Sequence, residues 1–261
     1  MSKVIAICNH KGGVAKTTTA VNLGVGLARE GKKVLLVDID PQGDLTFYLG
    51  FKDSFDVSVN DLMMSVIKDE EDGMDFSSAL LHHKEGVDLI PANEDLSAMD
   101  ANLIVTTFNR ERVLSDVLDH FKDSYDYILI DCSPSLSTVV INALTAADTV
   151  LIPVEAQVLA AKDLTLLLQT IVKVKRHLNP KLEIEGIVLT RSDGRTNLAK
   201  SVEEQIRVSF NQNIRVYDDI IPQNVKLAES AGSGISIYAY DPKGAATKAY
   251  ESLTREVLAD A

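Results

Sequence analysis

The stretch Val4-Ile5-Ala6-Ile7-Cys8-Asn9-His10-Lys11-Gly12-Gly13-Val14-Ala15-Lys16-Thr17-Thr18 reads as a strand, a glycine-bearing turn and the start of a helix. Five successive apolar residues without polar alternation are what a strand covered on both faces requires. Glycines let backbone N–H groups turn inward, and a helix beginning at Lys16 adds the positive end of its dipole, so the turn is built to hold a phosphate. Lys16 is placed to lie against the outer phosphates of a nucleotide, and Thr17 to offer its hydroxyl to Mg²⁺. Packing alone gives no reason for a second lysine, Lys11, on the far side of the two glycines.

The remainder of the 261 residues repeats the same alternation. Apolar runs predict strands at Lys3–Cys8, Lys33–Val37, Val87–Ile90, Tyr127–Ile130, Thr149–Val154 and Ile184–Leu189, with a shorter one near Val216–Ile220. Helical periodicity predicts helices over 16–30, 97–121, 136–146, 161–178, 197–211 and 244–259. The expected fold is α/β, a mostly parallel twisted sheet flanked by helices on both faces, closing as a single domain over residues 1–261. Residues 51–100 interrupt the rhythm with 13 acidic and 3 basic residues, and read as an acidic, solvated excursion with a short helix around 58–68. That excursion is either a surface insertion or a partner-contact surface.

Hydrophobic residues at 46% and charged residues at 25% are ordinary globular proportions, which argues against a disordered chain. No apolar run approaches the ~18 residues of a membrane span. The two cysteines, Cys8 and Cys132, sit in apolar runs with no partner at metal-ligand spacing, so they read as core residues of a cytosolic protein.

Two acidic turns follow strands. In Val37-Asp38-Ile39-Asp40-Pro41-Gln42-Gly43 the two aspartates share one face of an extended segment, at the carboxyl end where open α/β sheets place ligands. Alone, such a turn reads more readily as a solvated strand end; beside the phosphate loop, the ligand-site reading takes precedence. In Asp131-Cys132-Ser133-Pro134-Ser135 an aspartate ends a hydrophobic strand, the arrangement that holds Mg²⁺ beside a phosphate loop. His10 reads as structural, and His82-His83 lacks clear metal-ligand partners.

The loop departs from the common phosphate-loop pattern at His10 and Ala15 but fits K-G-G-x-x-K-[ST]-T. It resembles the deviant Walker A loop of the ParA/MinD family of P-loop ATPases. The switch-like D-x-D-P-Q-G at Asp38–Gly43, the run Ile141–Asp148, Gly194-Arg195-Thr196-Asn197 and Ile221-Pro222-Gln223-Asn224-Val225 are similar to the ParA/Soj partition branch. The resemblance covers most of the chain and is weakest over 51–100.

It implies an ATPase that uses ATP and Mg²⁺, slow until DNA and a centromere-binding adaptor stimulate it. Gly12, Gly13, Val14, Ala15, Lys16, Thr17 and Thr18 would cradle the nucleotide, with Pro222 and Asn224 at the base. Lys11 would act on the phosphates of a partner in an ATP-bound homodimer. Asp40 would orient the attacking water and join Thr17 and Asp131 around the metal; Lys11, Lys16 and Asp40 would form the catalytic set. Because the family usually has glycine where Ala15 stands, a positive φ there would make the Cβ costly.

The net charge of −12 disfavours nucleic acid, yet residues 162–226 carry 11 basic against 8 acidic residues. On that surface the resemblance implies non-specific double-stranded DNA contacts by Arg195 and Lys226, and a nucleoid-associated cytoplasmic location. Each of the two reads equally as a solvated surface charge. Gln223 stands where the branch often has a base. The chain starts too close to its first strand for an added helix-turn-helix. The acidic C-terminal segment 250–261 lacks the basic face of a membrane-binding helix, which disfavours a Min-like positioning ATPase. A small-molecule ligase with the same loop is the other reading.

Overall fold

The computed structural model describes residues 2–52, 55–157, 160–192, 197–210 and 213–259, with 160–163 and 197–199 described by backbone alone. Strands β1 (Lys3–Ile7), β2 (Val34–Ile39), β3 (Leu81–His82), β4 (Val87–Ile90), β5 (Tyr127–Cys132), β6 (Thr149–Glu155), β7 (Glu183–Ser192) and β8 (Ile221–Pro222) form one sheet. Its order is β3-β4-β2-β5-β1-β6-β7-β8. Only the short edge pair β3–β4 is antiparallel. The helices are α1 (Lys16–Arg29), α2 (Asp44–Tyr48), α3 (Val59–Ile67), α4 (Met99–Val105), α5 (Val113–Asp119), α6 (Thr138–Ala146), α7 (Ala160–His177), α8 (Asn197–Phe210), α9 (Val225–Gly232), α10 (Ile237–Tyr240) and α11 (Ala245–Ala259).

Successive strand residues point to opposite faces, and each face has its own core. On β1, Val4 and Ala6, with Cys8 just past its end, join the core roofed by α3 to α8, whereas Ile5 and Ile7 join the core roofed by α1, α2, α10 and α11. Both cysteines are free and buried in the first of these cores. Gly24 of α1 permits close packing, because a Cβ there would stand 2.7 Å from Leu36 Cδ2. The chain leaves β1 for β2 on one side and later returns to β6 on the other, so β1 ends at the point where the order of winding reverses. Ligands of open α/β sheets bind there.

Three expectations need correction. The helix over 97–121 is two helices, because the chain breaks between α4 and α5. Thr106 turns its hydroxyl back to the Asn102 carbonyl at 2.8 Å, and Asn109 takes φ +52°, which no helix continues through. The stretch 51–100 is more than a solvated excursion. Its acids at 69–72 face solvent or lie half-buried, but Val59, Leu62, Met63, Phe76, Ala79, Leu96 and Met99 are buried in the core. Charge clustering hid an apolar pattern spread thinly over three short turns. The strand near Val216–Ile220 reduces to a bridge between Val216 and Ile187, with β8 following it.

Candidate nucleotide site

The loop after β1 is held at both ends. Asn9 donates through Nδ2 to the Pro153 carbonyl at 2.7 Å and accepts from the Lys11 N–H at 3.0 Å. Gly13 takes φ +78° and Ala15 takes φ 68°, ψ 34° immediately before α1. The position does require the left-handed conformation, so the Ala15 Cβ costs on the order of 1 kcal/mol. From β7, the Thr190 hydroxyl donates to the Val14 carbonyl at 3.0 Å and the Arg191 guanidinium to the Gly13 carbonyl at 2.7 Å. Lys16 is 7% exposed, with its ammonium 3.4 Å from the Lys11 carbonyl, folded over the loop it serves.

A cavity of about 650 Å³ opens beside this loop. Gly12, Gly13, Ala15, Lys16, Thr17 and Thr18 form its floor, Asp40, Asp44, Phe47 and Tyr48 one wall, and Pro222, Gln223, Asn224 and α9 another. Val14 is buried and turns its side chain to the protein interior, so it can serve a ligand only through its backbone. A second cavity of about 620 Å³, between α3, α4 and α5, has no lysine, arginine or glycine in its lining and offers nothing to a phosphate.

The carboxylates divide by burial. Asp38 is fully buried and accepts from the Thr46 N–H at 2.9 Å, the Thr46 hydroxyl at 2.7 Å and the Asp40 N–H at 3.1 Å. It pins the turn that presents Asp40. Burial raises its pKa to about 6 despite those three donors. Asp131 is 1% exposed, and neither carboxylate oxygen has a partner of good hydrogen-bond geometry. Burial first and the Asp38 charge second push its pKa well up, while the Thr17 hydroxyl and the Lys16 ammonium oppose the shift. An orphaned buried carboxylate beside a threonine hydroxyl suits Mg²⁺, which binds through one or two protein oxygens plus substrate phosphates. Among the described residues no three His, Cys, Asp or Glu side chains gather as a metal site of their own. Asp44 also carries a raised pKa, from burial and then the Asp40 charge.

Lys11 stands apart. Its ammonium bonds the Gln157 side chain and lies 3.9 Å from Glu155 Oε2, beyond the end of β6, and it does not line the cavity beside its own loop. Pro222 and Asn224 do line the cavity, and the Asn224 side chain also caps α9, its Oδ1 accepting from the Lys226 N–H at 2.9 Å. The Lys226 ammonium is paired with Asp241 at 2.8 Å. Arg195 lies outside the described residues. His82 pairs with Asp88 at 2.6 Å, and His83 is buried with its Nε2 3.2 Å from the Gly234 carbonyl.

Sequence reasoning missed Arg191, Asp44 and Phe47 as cavity residues. Asp44 and Phe47 sit on a helix of five residues, too short for periodicity to declare, and Arg191, the next-to-last residue of a strand, belongs to none of the motifs that mark the site.

A sheet whose central strand delivers a lysine- and threonine-bearing loop to the winding reversal, with an aspartate ending the next strand, defines the chain as a P-loop NTPase. Residues 2–184 match the sequence model of a family described as an AAA domain. The chain is 45% identical to the sporulation initiation inhibitor protein Soj of Bacillus subtilis, covering 100% of both proteins. It is 41% identical to the chromosome partitioning protein ParA of Caulobacter vibrioides, over 98% of this chain and 94% of that one. Among solved structures, cobyrinic acid a,c-diamide synthase of Mycobacterium smegmatis with bound ADP and magnesium superposes with a TM-score of 0.84. It is 34% identical over 99% of this chain and 94% of that chain. The chain belongs to the ParA/Soj-type partition ATPases of the ParA/MinD family.

Proposed function

We propose that the chain binds ATP with Mg²⁺ in the cavity beside Lys16, pairs with a second copy across that nucleotide, and as a dimer binds double-stranded DNA non-specifically. Hydrolysis then drives segregation of plasmid or chromosomal DNA, with a centromere-binding adaptor as stimulator and the nucleoid as the place of work. Thr17 and Asp131, with Asp40 at the edge of the shell, would hold Mg²⁺, which supplies charge neutralisation on the phosphates when bound. Lys16 neutralises charge on the leaving phosphates, and Asp40, held by Asp38, orients the attacking water. The fold from residue 1 to 261 acts as one domain.

The observation that carries this reading is the position of Lys11. A cation beside a phosphate loop that stays outside its own cavity is useful to a neighbouring molecule. Size-exclusion and DNA retention with ATP, ADP and no nucleotide, across a salt series, test it together. ATP-dependent dimerisation and salt-sensitive, sequence-independent retention are expected. Lys11→Ala is expected to keep ATP binding and lose both. A dimer unchanged in Lys11→Ala would remove the trans role.

The 34% identity to the M. smegmatis synthase supports a second reading, a ligase that transfers phosphate to a carboxylated small molecule. The higher identity to Soj and ParA over equal length favours partition. Turnover stimulated by a carboxylated corrinoid precursor and indifferent to DNA would reverse that order.

A further inference from the structure

Arg191 is the next-to-last residue of β7 and takes φ +52°. The pairing of β7 with β8 shifts register between Thr190 and Ser192, so Arg191 is looped out of the ladder. Arginine has no special tolerance of the left-handed region, and a non-glycine residue held there beside a ligand cavity points to a function that repays the strain. The bend sends the guanidinium back over the phosphate loop. Its NH1 donates to the Gly13 carbonyl at 2.7 Å, and its Nε lies 4.0 Å from Glu155 Oε1. Alongside it, the Thr190 hydroxyl holds the Val14 carbonyl at 3.0 Å.

A trans peptide is planar, with its N–H opposite its C=O. Fixing the Gly13 and Val14 carbonyls on the β7 side therefore turns the Val14 and Ala15 N–H groups the other way, the sense a cradled phosphate needs. Gly13, at φ +78°, is the residue with least resistance to a peptide flip. We propose that Arg191 is a positioning residue of the phosphate loop, clamping the Gly13 peptide in the orientation that receives the triphosphate chain. The proposal rests on the reading of this loop as the nucleotide site. The bond to Gly13 is charge-assisted, hence stronger than the neutral one from Thr190, and Glu155 steadies the guanidinium from the other side.

The test measures dissociation constants for ATP and for inorganic tripolyphosphate, both with Mg²⁺, in the wild type and in Arg191→Ala, Arg191→Lys and Arg191→Gly, together with Tm. Arg191→Ala is expected to weaken both ligands by the same factor, about tenfold. Arg191→Gly is expected to bind as poorly while keeping or raising Tm, because glycine adopts φ +52° without strain. Arg191→Lys restores part of the affinity. Wild-type affinity in Arg191→Ala overturns the proposal. So does a loss confined to ATP, which would make Arg191 a reader of base or ribose, or an affinity that simply follows Tm. A wild type that binds neither ligand overturns the reading of the site itself, and the clamp with it.

Discussion

Asp38 and Asp131 are register partners on the adjacent parallel strands β2 and β5, so two buried carboxylates stand side by side next to the phosphate loop. Burial lifts Asp38 to about 6 and Asp131 well above the ordinary 3.8, the latter reinforced by the Asp38 charge. An acid whose pKa is raised by folding contributes stability that is fully present below its ordinary value and is lost as pH rises through the folded one. Urea titrations of wild type and Asp38→Asn between pH 4 and 7 are expected to show the wild type losing about 2 kcal/mol relative to the variant. A constant gap would mean that Asp38 titrates normally.

The same pair couples metal to protons. Because burial favours the protonated Asp131 and a carboxylate in the Mg²⁺ shell must be ionised, Mg²⁺-ATP binding should be linked to proton release. Calorimetric titrations in buffers of different ionisation heat should give a binding enthalpy that changes from buffer to buffer. The dependence should shrink in Asp131→Asn.

Ala15→Gly removes a Cβ from a left-handed position at the start of α1. Relief on the order of 1 kcal/mol is partly offset by the greater freedom of glycine in the unfolded chain. A Tm gain of roughly 1–3 °C is expected, with tighter ATP binding or faster turnover as the loop gains freedom to close on phosphate. Unchanged Tm, affinity and rate together would show that the Cβ is harmless.

The exposed Lys226 ammonium pairs with Asp241 at 2.8 Å, so a phosphate must compete with that carboxylate for it. Asp241→Asn is expected to strengthen ATP-dependent DNA retention. Lys226→Ala should lower the slope of log affinity against log salt by about one. Filter binding at four or five salt concentrations measures both, and a slope unmoved by Lys226→Ala places the DNA surface elsewhere.

Asn22 is fully buried and ties three helices together. Its Nδ2 donates to the Thr18 carbonyl at 2.8 Å and to the Tyr48 hydroxyl at 3.2 Å, and its Oδ1 accepts the Ile237 N–H at 2.8 Å. Asn22→Ala leaves that N–H buried without its acceptor. A loss of about 3 kcal/mol is expected, visible as a lower urea midpoint with unchanged slope.

Much of the sheet was legible in advance because strands buried on both faces need unbroken Val, Ile and Leu. Six of the apolar runs lie where β1, β2, β4, β5, β6 and β7 stand. The breaks came where local chemistry competes with pattern. The helix ending at Val105 is capped by an extended Thr106 and barred from continuing by Asn109 at φ +52°, where periodicity would run on, and α2 and α10 are too short to show a period at all.

Local sequence determined the phosphate loop itself: a strand, two glycines, Lys16 and Thr17 have few other uses in that order. The positive φ at Ala15 is decided only in the folded loop. Tertiary structure decided what surrounds the loop. Asp38 and Asp131 lie far apart in the chain, and only the β2–β5 register makes them neighbours with shifted pKa values. Arg191 reaches Gly13 across 178 positions because β7 bends where its register with β8 shifts, and no pattern around either residue announces the other. Short-range spacing encodes conformation and residue chemistry, whereas burial, charge coupling and hydrogen bonds between distant strands exist only once the chain has folded.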